Sequence, residues 1–171
     1  MERRVYDSEG HAHFVTFSCY KRRRLLDDDR AKGTVIHFLA EELRKKDGSC
    51  VGFVIMPNHV HALLHFKKPG MLSGFIQQWK RKSSNRLKNF FDEHFPAYAA
   101  EVGLREPIWQ AGFHDFNVFG IDKVTEKLEY MHNNPARMGL VANARQWRYS
   151  SARWYLMRAQ SARGRISKLP K

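Results

Sequence analysis

Val51-Gly52-Phe53-Val54-Ile55-Met56-Pro57-Asn58-His59-Val60-His61-Ala62-Leu63-Leu64-His65-Phe66 consists of two apolar runs separated by Pro57-Asn58. Short runs of branched and aromatic residues bounded by turn formers are strand signals, and so brief a break between two of them predicts a hairpin. Alternate side chains of a strand share a face. His59 and His61 therefore stand side by side at the start of the returning strand, while Val60 faces the opposite layer. His65 has the same parity, but at about 3.3 Å per residue it lies too far along to share an ion with His59, and we read it as structural.

Upstream of the hairpin, Phe14 to Tyr20 is aromatic and branched, bounded by the basic run Lys21-Arg22-Arg23-Arg24, and reads as a first strand. Asp27, Asp28 and Asp29 favour a helix N-terminus, and Val35, Phe38, Leu39 and Leu43 continue it as an amphipathic stripe ending near Gly48. Downstream, Leu72, Phe75, Ile76 and Trp79 mark a second long helix, and Gly112 to Val118 a short strand. A last helix carries the apolar stripe Val124, Leu128 and Met131, with Lys123, Lys127, Tyr130 and Asn134 on an adjoining face. It is expected to end near Asn133 or Asn134, because Pro135 cannot donate to a helix and disfavours helical geometry in the residue before it. The order strand, helix, hairpin, helix, strand, helix is that of a ferredoxin-like fold. We therefore expect an α+β domain, an antiparallel sheet with helices covering one face.

The chain has 171 residues, enough for one domain with an ordinary core. We assign residues 1–157 to it and 158–171 to a basic, flexible tail in which Arg158, Arg163, Arg165, Lys168 and Lys171 meet no acid. Thirty Lys and Arg against 17 Asp and Glu give a net charge of +13. That balance is the footprint of a phosphate-binding surface. Aromatic residues lie among the basic ones (Trp79, Trp109, Phe113, Phe116, Trp147, Tyr149, Trp154, Tyr155), and two or three of them exposed would suffice to stack unpaired bases. Cys19 and Cys50 form no metal or redox spacing, and no signal peptide or membrane-spanning stretch is evident, which points to the cytoplasm. There is no Gly-rich lysine loop, so no nucleotide cofactor is expected.

A histidine pair at i and i+2 on a rigid strand offers two ligands for one metal ion, with a third to come from elsewhere. Tyr130 and Asn134, one helical turn apart, point the same way and leave Asn134 free to bind. His11 and His13 form a second alternating pair, which we read as structural. His114 and Asp115 are candidates near the site, Asp115 as a carboxylate partner for a ligating imidazole. The second helix carries Lys80, Arg81, Lys82 and Arg86 with few acids nearby, a candidate phosphate-facing surface, to which we add Lys127 and Arg137 flanking Tyr130.

Four ordered blocks carry a family resemblance: Val54-Ile55-Met56-Pro57-Asn58-His59-Val60-His61; Ile108-Trp109-Gln110 with Phe113-His114-Asp115; Tyr130-Met131-His132-Asn133-Asn134-Pro135-Ala136-Arg137; and Trp147-Arg148-Tyr149-Ser150-Ser151. From about His13 to Tyr155 the chain resembles the REP-associated tyrosine transposases, single-strand transposases of the HUH endonuclease superfamily. The resemblance implies a palm-like fold and a metal-dependent endonuclease and strand transferase acting on single-stranded DNA hairpins of palindromic repeats. It implies Tyr130 as the nucleophile, forming a 5′-phosphotyrosine and releasing a 3′-hydroxyl. His59, His61 and Asn134 would be the metal ligands, with Asn133 or a nearby carboxylate as substitutes for Asn134, since relatives often carry glutamine there. Either Mg²⁺ or Mn²⁺ is expected, Mn²⁺ being favoured by the nitrogen ligands. Monomers are favoured over dimers. Two rival readings are a non-catalytic nucleic-acid-binding regulator on the same kind of sheet, and a hydrolase that activates water at its metal and forms no adduct.

Overall fold

The computed structural model describes residues 11–102 and 106–158. Strand β1 (Ala12–Ser18) is followed by helix α1 (Asp29–Lys46), the hairpin β2 (Gly48–Ile55) and β3 (His59–Phe66), helix α2 (Leu72–His94), a short helix α3 (Pro96–Val102), strand β4 (His114–Val118) and helix α4 (Ile121–Arg137). Residues 152–158 are also helical. The strands form one antiparallel sheet in the order β2-β3-β1-β4, the ferredoxin-like arrangement expected. The proposed tail beyond Arg158 lies outside the described residues.

Local signals act where the sequence puts them. Asp28 caps α1, its side chain accepting from the Arg30 amide at 2.8 Å. The turn around Pro57-Asn58 is closed by the Met56 amide donating to the His59 carbonyl. Val15, Phe17, Val60, Ala62, Leu64 and Phe66 pack with Val35, Leu39, Phe75, Ile76 and Trp79 as one core between the sheet and α1–α2. Buried polar groups there find partners: Trp79 Nε1 donates to the Val35 carbonyl at 2.8 Å and Trp109 Nε1 to Ser83 Oγ at 3.0 Å.

The alternate residues Ala12, Val54, Met56, Leu63 and Val118 form a second, smaller core with Met131, Leu128 and Val124 of α4. Helices therefore cover both faces, correcting the one-face expectation: α1 and α2 take one side and α4 the other. An apolar stripe marks a helix as packed without naming the face it packs on. The approach of α4 to β2 is close. A Cβ built on Gly52 would sit 2.4 Å from Leu128 Cδ2 and 3.4 Å from Met131 Cε.

One further expectation changes. Helix α4 continues through Pro135 to Arg137, because Pro135 stands in the last turn and is buried there. Past it the chain is turned by Met138 and Leu140 amides donating to the carbonyls of Asn134 and Pro135, with Gly139 at φ +70°. The Trp147 to Ser151 block seals the outer edge of β2. The Ile55 amide donates to the Tyr149 carbonyl, the Ser151 amide to the Phe53 carbonyl, and Trp147 Nε1 to the Ile55 carbonyl. That pairing covers an otherwise open sheet edge.

Candidate active site

The face of the sheet shared with α4 opens into a cleft of about 770 Å³. Its floor comes from β1 (Phe14, Thr16) and β3 (His59, His61), one wall from β4 (His114, Phe116) and the other from α4 (Lys127, Tyr130, Asn134, Arg137), with Arg22 at one end. The histidine pair and the tyrosine helix, some seventy residues apart in sequence, meet in this one place.

Alternation along β3 brings the His59 and His61 rings to 4.8 Å between centroids. The Tyr130 ring lies 5.7 Å from that of His61 and 6.1 Å from that of Phe14. Tyr130 is 43 % exposed, open to a ligand entering the cleft. One turn on, Asn134 Nδ2 donates to His61 Nε2 at 3.0 Å. Each imidazole has its other nitrogen engaged: His61 Nδ1 lies 2.7 Å from Thr16 Oγ1, and His59 Nδ1 2.7 Å from Asn58 Oδ1. Phe14 stacks nearly parallel on His61, 5.5 Å away at 16°.

Burial pulls the His61 pKa down to about 3, with the neighbouring His59 adding to the effect. His59 falls to about 4, through burial first and the Arg22 charge second. Both rings are neutral near pH 7 and retain a nitrogen lone pair, the form that binds metal. Among the described residues no group of three or more His, Cys, Asp or Glu side chains is assembled to hold an ion, so a metal here would need the Asn134 amide as well as the two imidazoles. That mixture of imidazole nitrogen and amide oxygen suits a divalent cation with open coordination positions. Asn133 is exposed and does not line the cleft.

Two candidate cations are in the cleft. Lys127 Nζ sits 4.7 Å from the Phe116 ring centroid and 5.5 Å from that of Phe14, while the Arg137 guanidinium lies 5.5 Å from the Tyr130 ring. The candidates on α2 are elsewhere, since that helix packs on the other face. There Lys80 donates to the Gln110 and Gly112 carbonyls at 2.7 Å, Lys82 pairs with Glu41 and Glu42, and Arg81 bonds Gln78. Arg86 borders a shallow depression with His37 and Phe38.

His114 and Asp115 both line the cleft, but the Asp115 carboxylate meets His13 Nδ1, 3.4 Å away, and the oxygens beside His59 and His61 belong to Asn58 and Thr16 instead. Of the eight aromatics singled out, Phe116 and Trp154 are exposed and Trp79 and Trp109 are core. Sequence reasoning missed Thr16, Asn58, Phe14 and Arg22. The signal for Thr16 is the register, in which it is the direct partner of His61 across β1 and β3. Arg22 owes its place to a tight turn in which Lys21 and Arg22 both have φ near +53°, a conformation that sequence does not announce for non-glycine residues.

The family described as "transposase IS200 like" matches residues 7–134. Among solved structures, a REP-associated tyrosine transposase bound to a REP hairpin superposes with a TM-score of 0.72 at 20 % identity, covering 93 % of this chain and 87 % of that one. A protein from Deinococcus radiodurans R1 assigned as a transposase superposes with a TM-score of 0.52 at 18 % identity, covering 78 % of this chain and 97 % of that one. No curated protein matches the sequence. Among the described residues no helix is long and apolar enough to cross a membrane.

Proposed function

Because the chain belongs to the IS200-like transposase family, we propose that it nicks and rejoins single-stranded DNA through a covalent bond to Tyr130, acting beside hairpins of palindromic repeats. The observation that carries this reading is the meeting of Tyr130 with His59, His61 and Asn134 in one cleft of one chain. The hairpin substrate is suggested by the ligand of the structural relative.

His59 and His61, through Nε2, and Asn134, through its carboxamide oxygen, would hold a Mg²⁺ or Mn²⁺ ion. Bound there, the ion supplies Lewis-acid polarisation of the scissile phosphodiester and balances charge in the transition state. Lys127 and Arg137 attract the phosphate backbone into the cleft, and Phe116 offers an exposed ring to an unpaired base. The Tyr130 oxygen attacks phosphorus. The P–O bond to the 3′-oxygen breaks, and the upstream segment departs with a 3′-hydroxyl while the downstream segment stays on Tyr130 through its 5′-phosphate. The proton lost by the phenol is balanced by the one that the 3′-oxygen gains. The phosphotyrosine keeps the phosphoryl group activated for a later 3′-hydroxyl, so no nucleotide cofactor is required. All these residues come from one chain, so a monomer has a full set.

The test is cleavage of a labelled single strand carrying a repeat hairpin, with Mn²⁺ or with chelator. We expect metal-dependent cleavage by the unaltered protein and none by Tyr130→Phe, with DNA binding retained. Binding without cleavage under every metal condition would favour the non-catalytic regulator.

A further inference from the structure

We propose that Thr16 and Asn58 are positioning residues, which fix the tautomers and ring orientations of His61 and His59 so that both Nε2 lone pairs face a divalent cation. The inference rests on the metal reading above and deepens it.

A neutral imidazole has one N–H and one lone pair, so whichever nitrogen gives its proton to an oxygen leaves the other free to bind. At His59 the hydrogen bonds leave one solution. Asn58 Nδ2 points at the Arg22 carbonyl, 3.4 Å away, which can only accept. The other amide atom, facing His59 Nδ1 at 2.7 Å, is therefore the oxygen, and Nδ1 carries the proton. The Asn58 main chain is anchored as well, its carbonyl accepting from the Cys19 amide at 2.8 Å. The consecutive left-handed residues Lys21 and Arg22 turn the Arg22 carbonyl towards Asn58, a conformation that L residues adopt at a cost. Backbone strain is thus spent beside the ring of one imidazole.

At His61 the logic repeats from different elements. Without an ion, Asn134 Nδ2 donates to Nε2, so Nδ1 carries the proton and donates it in a hydrogen bond to Thr16 Oγ1 at 2.7 Å. With an ion on Nε2 the Asn134 amide would turn its oxygen to the metal, and the same Nδ1–H tautomer is required. Thr16 is the cross-strand partner of His61 on the central strand β1, and Phe14 stacks on the same ring. Both rings are held from behind by an oxygen and by packing, and both present the same nitrogen to the cleft. Such oxygen partners orient ligating histidines, and their removal typically weakens metal affinity by about 10- to 100-fold.

The test has two readouts on the metal-free and metal-titrated protein, neither of them activity. Nitrogen-15 NMR of the imidazoles reports the tautomer. We expect Nδ1–H at both His59 and His61, with the His61 population shifting in Thr16→Val and that of His59 in Asn58→Ala. Calorimetric titration with Mn²⁺ should give affinities roughly 10- to 100-fold weaker in each variant, recovered in Thr16→Ser and Asn58→Asp. Circular dichroism checks folding, and Asn58→Ala, in a turn, serves if Thr16→Val on the central strand does not fold. Nε2–H tautomers in the unaltered protein, or unchanged Mn²⁺ affinity in both folded variants while His59→Ala and His61→Ala abolish binding, would overturn this inference alone. Mn²⁺ binding that is absent, or indifferent to His59→Ala and His61→Ala, would overturn the metal reading and this inference with it.

Discussion

Lys127 and Lys80 carry the same charge in different settings. Lys127 projects into the cleft between two aromatic rings, whereas Lys80 is tied to two carbonyls that fix the segment around Gly112. Replacing Lys127 by Ala should weaken single-stranded DNA binding and reduce the slope of log affinity against log salt by roughly 0.7, as for one lost phosphate contact. Fluorescence anisotropy at several salt concentrations measures both. Lys80→Met should leave that slope unchanged and lower the unfolding free energy by about 0.5–1.5 kcal/mol, because the main-chain carbonyls of the exposed residues Gln110 and Gly112 lose their shared donor on α2. At this scale the sequence is informative where roles follow from spacing. His59 with His61, and Tyr130 with Asn134, are legible because strand and helix periods put each pair on one face. Thr16 and Arg22 are not, because their places depend on a register and a left-handed turn that arise only when the sheet assembles.

Element boundaries were largely legible: β3 spans His59–Phe66 as read, and the N-cap of α1 and the apolar stripes of α1 and α2 lie where expected. The side of the sheet chosen by α4 was not legible, nor its continuation through Pro135, since a buried last turn outweighs the local preference. The placement of Tyr130 depends on how closely α4 approaches β2, and Gly52 governs that approach. Gly52→Ala must push Leu128 aside, costing about 1–3 kcal/mol by overpacking and displacing α4 along with Tyr130. Urea denaturation should record the first effect and a drop in cleavage rate the second. Unchanged stability together with an unchanged rate would contradict this account of the α4 contact.

Across the whole molecule, acid should act through histidines buried as neutral rings. His59, His61 and His132 have pKa values pulled down to about 4, 3 and 4 respectively, with burial the leading cause each time. Unfolded, they return to about 6.5, so between pH 6.5 and 4 the unfolded chain binds more protons than the folded one. Their contribution to stability is complete above pH 6.5 and is lost as pH falls through that range. Denaturation midpoints at intervals from pH 7.5 to 4.5 should decline in that direction, and His132→Gln should flatten the decline. Convergence of the cleft within one chain also predicts that cleavage per molecule is independent of protein concentration, measurable by serial dilution.

Covalent chemistry at Tyr130 is most directly tested by recovering the peptide that carries the DNA. Trypsin cutting after Lys127 and Arg137 releases residues 128–137, whose sole tyrosine is Tyr130. After reaction of the unaltered protein with a hairpin-bearing single strand and Mn²⁺, nuclease trimming and mass spectrometry, we predict this peptide with a phosphonucleotide adduct on Tyr130. Cleaved DNA with no such adduct, or an adduct on a different tyrosine, would contradict the account.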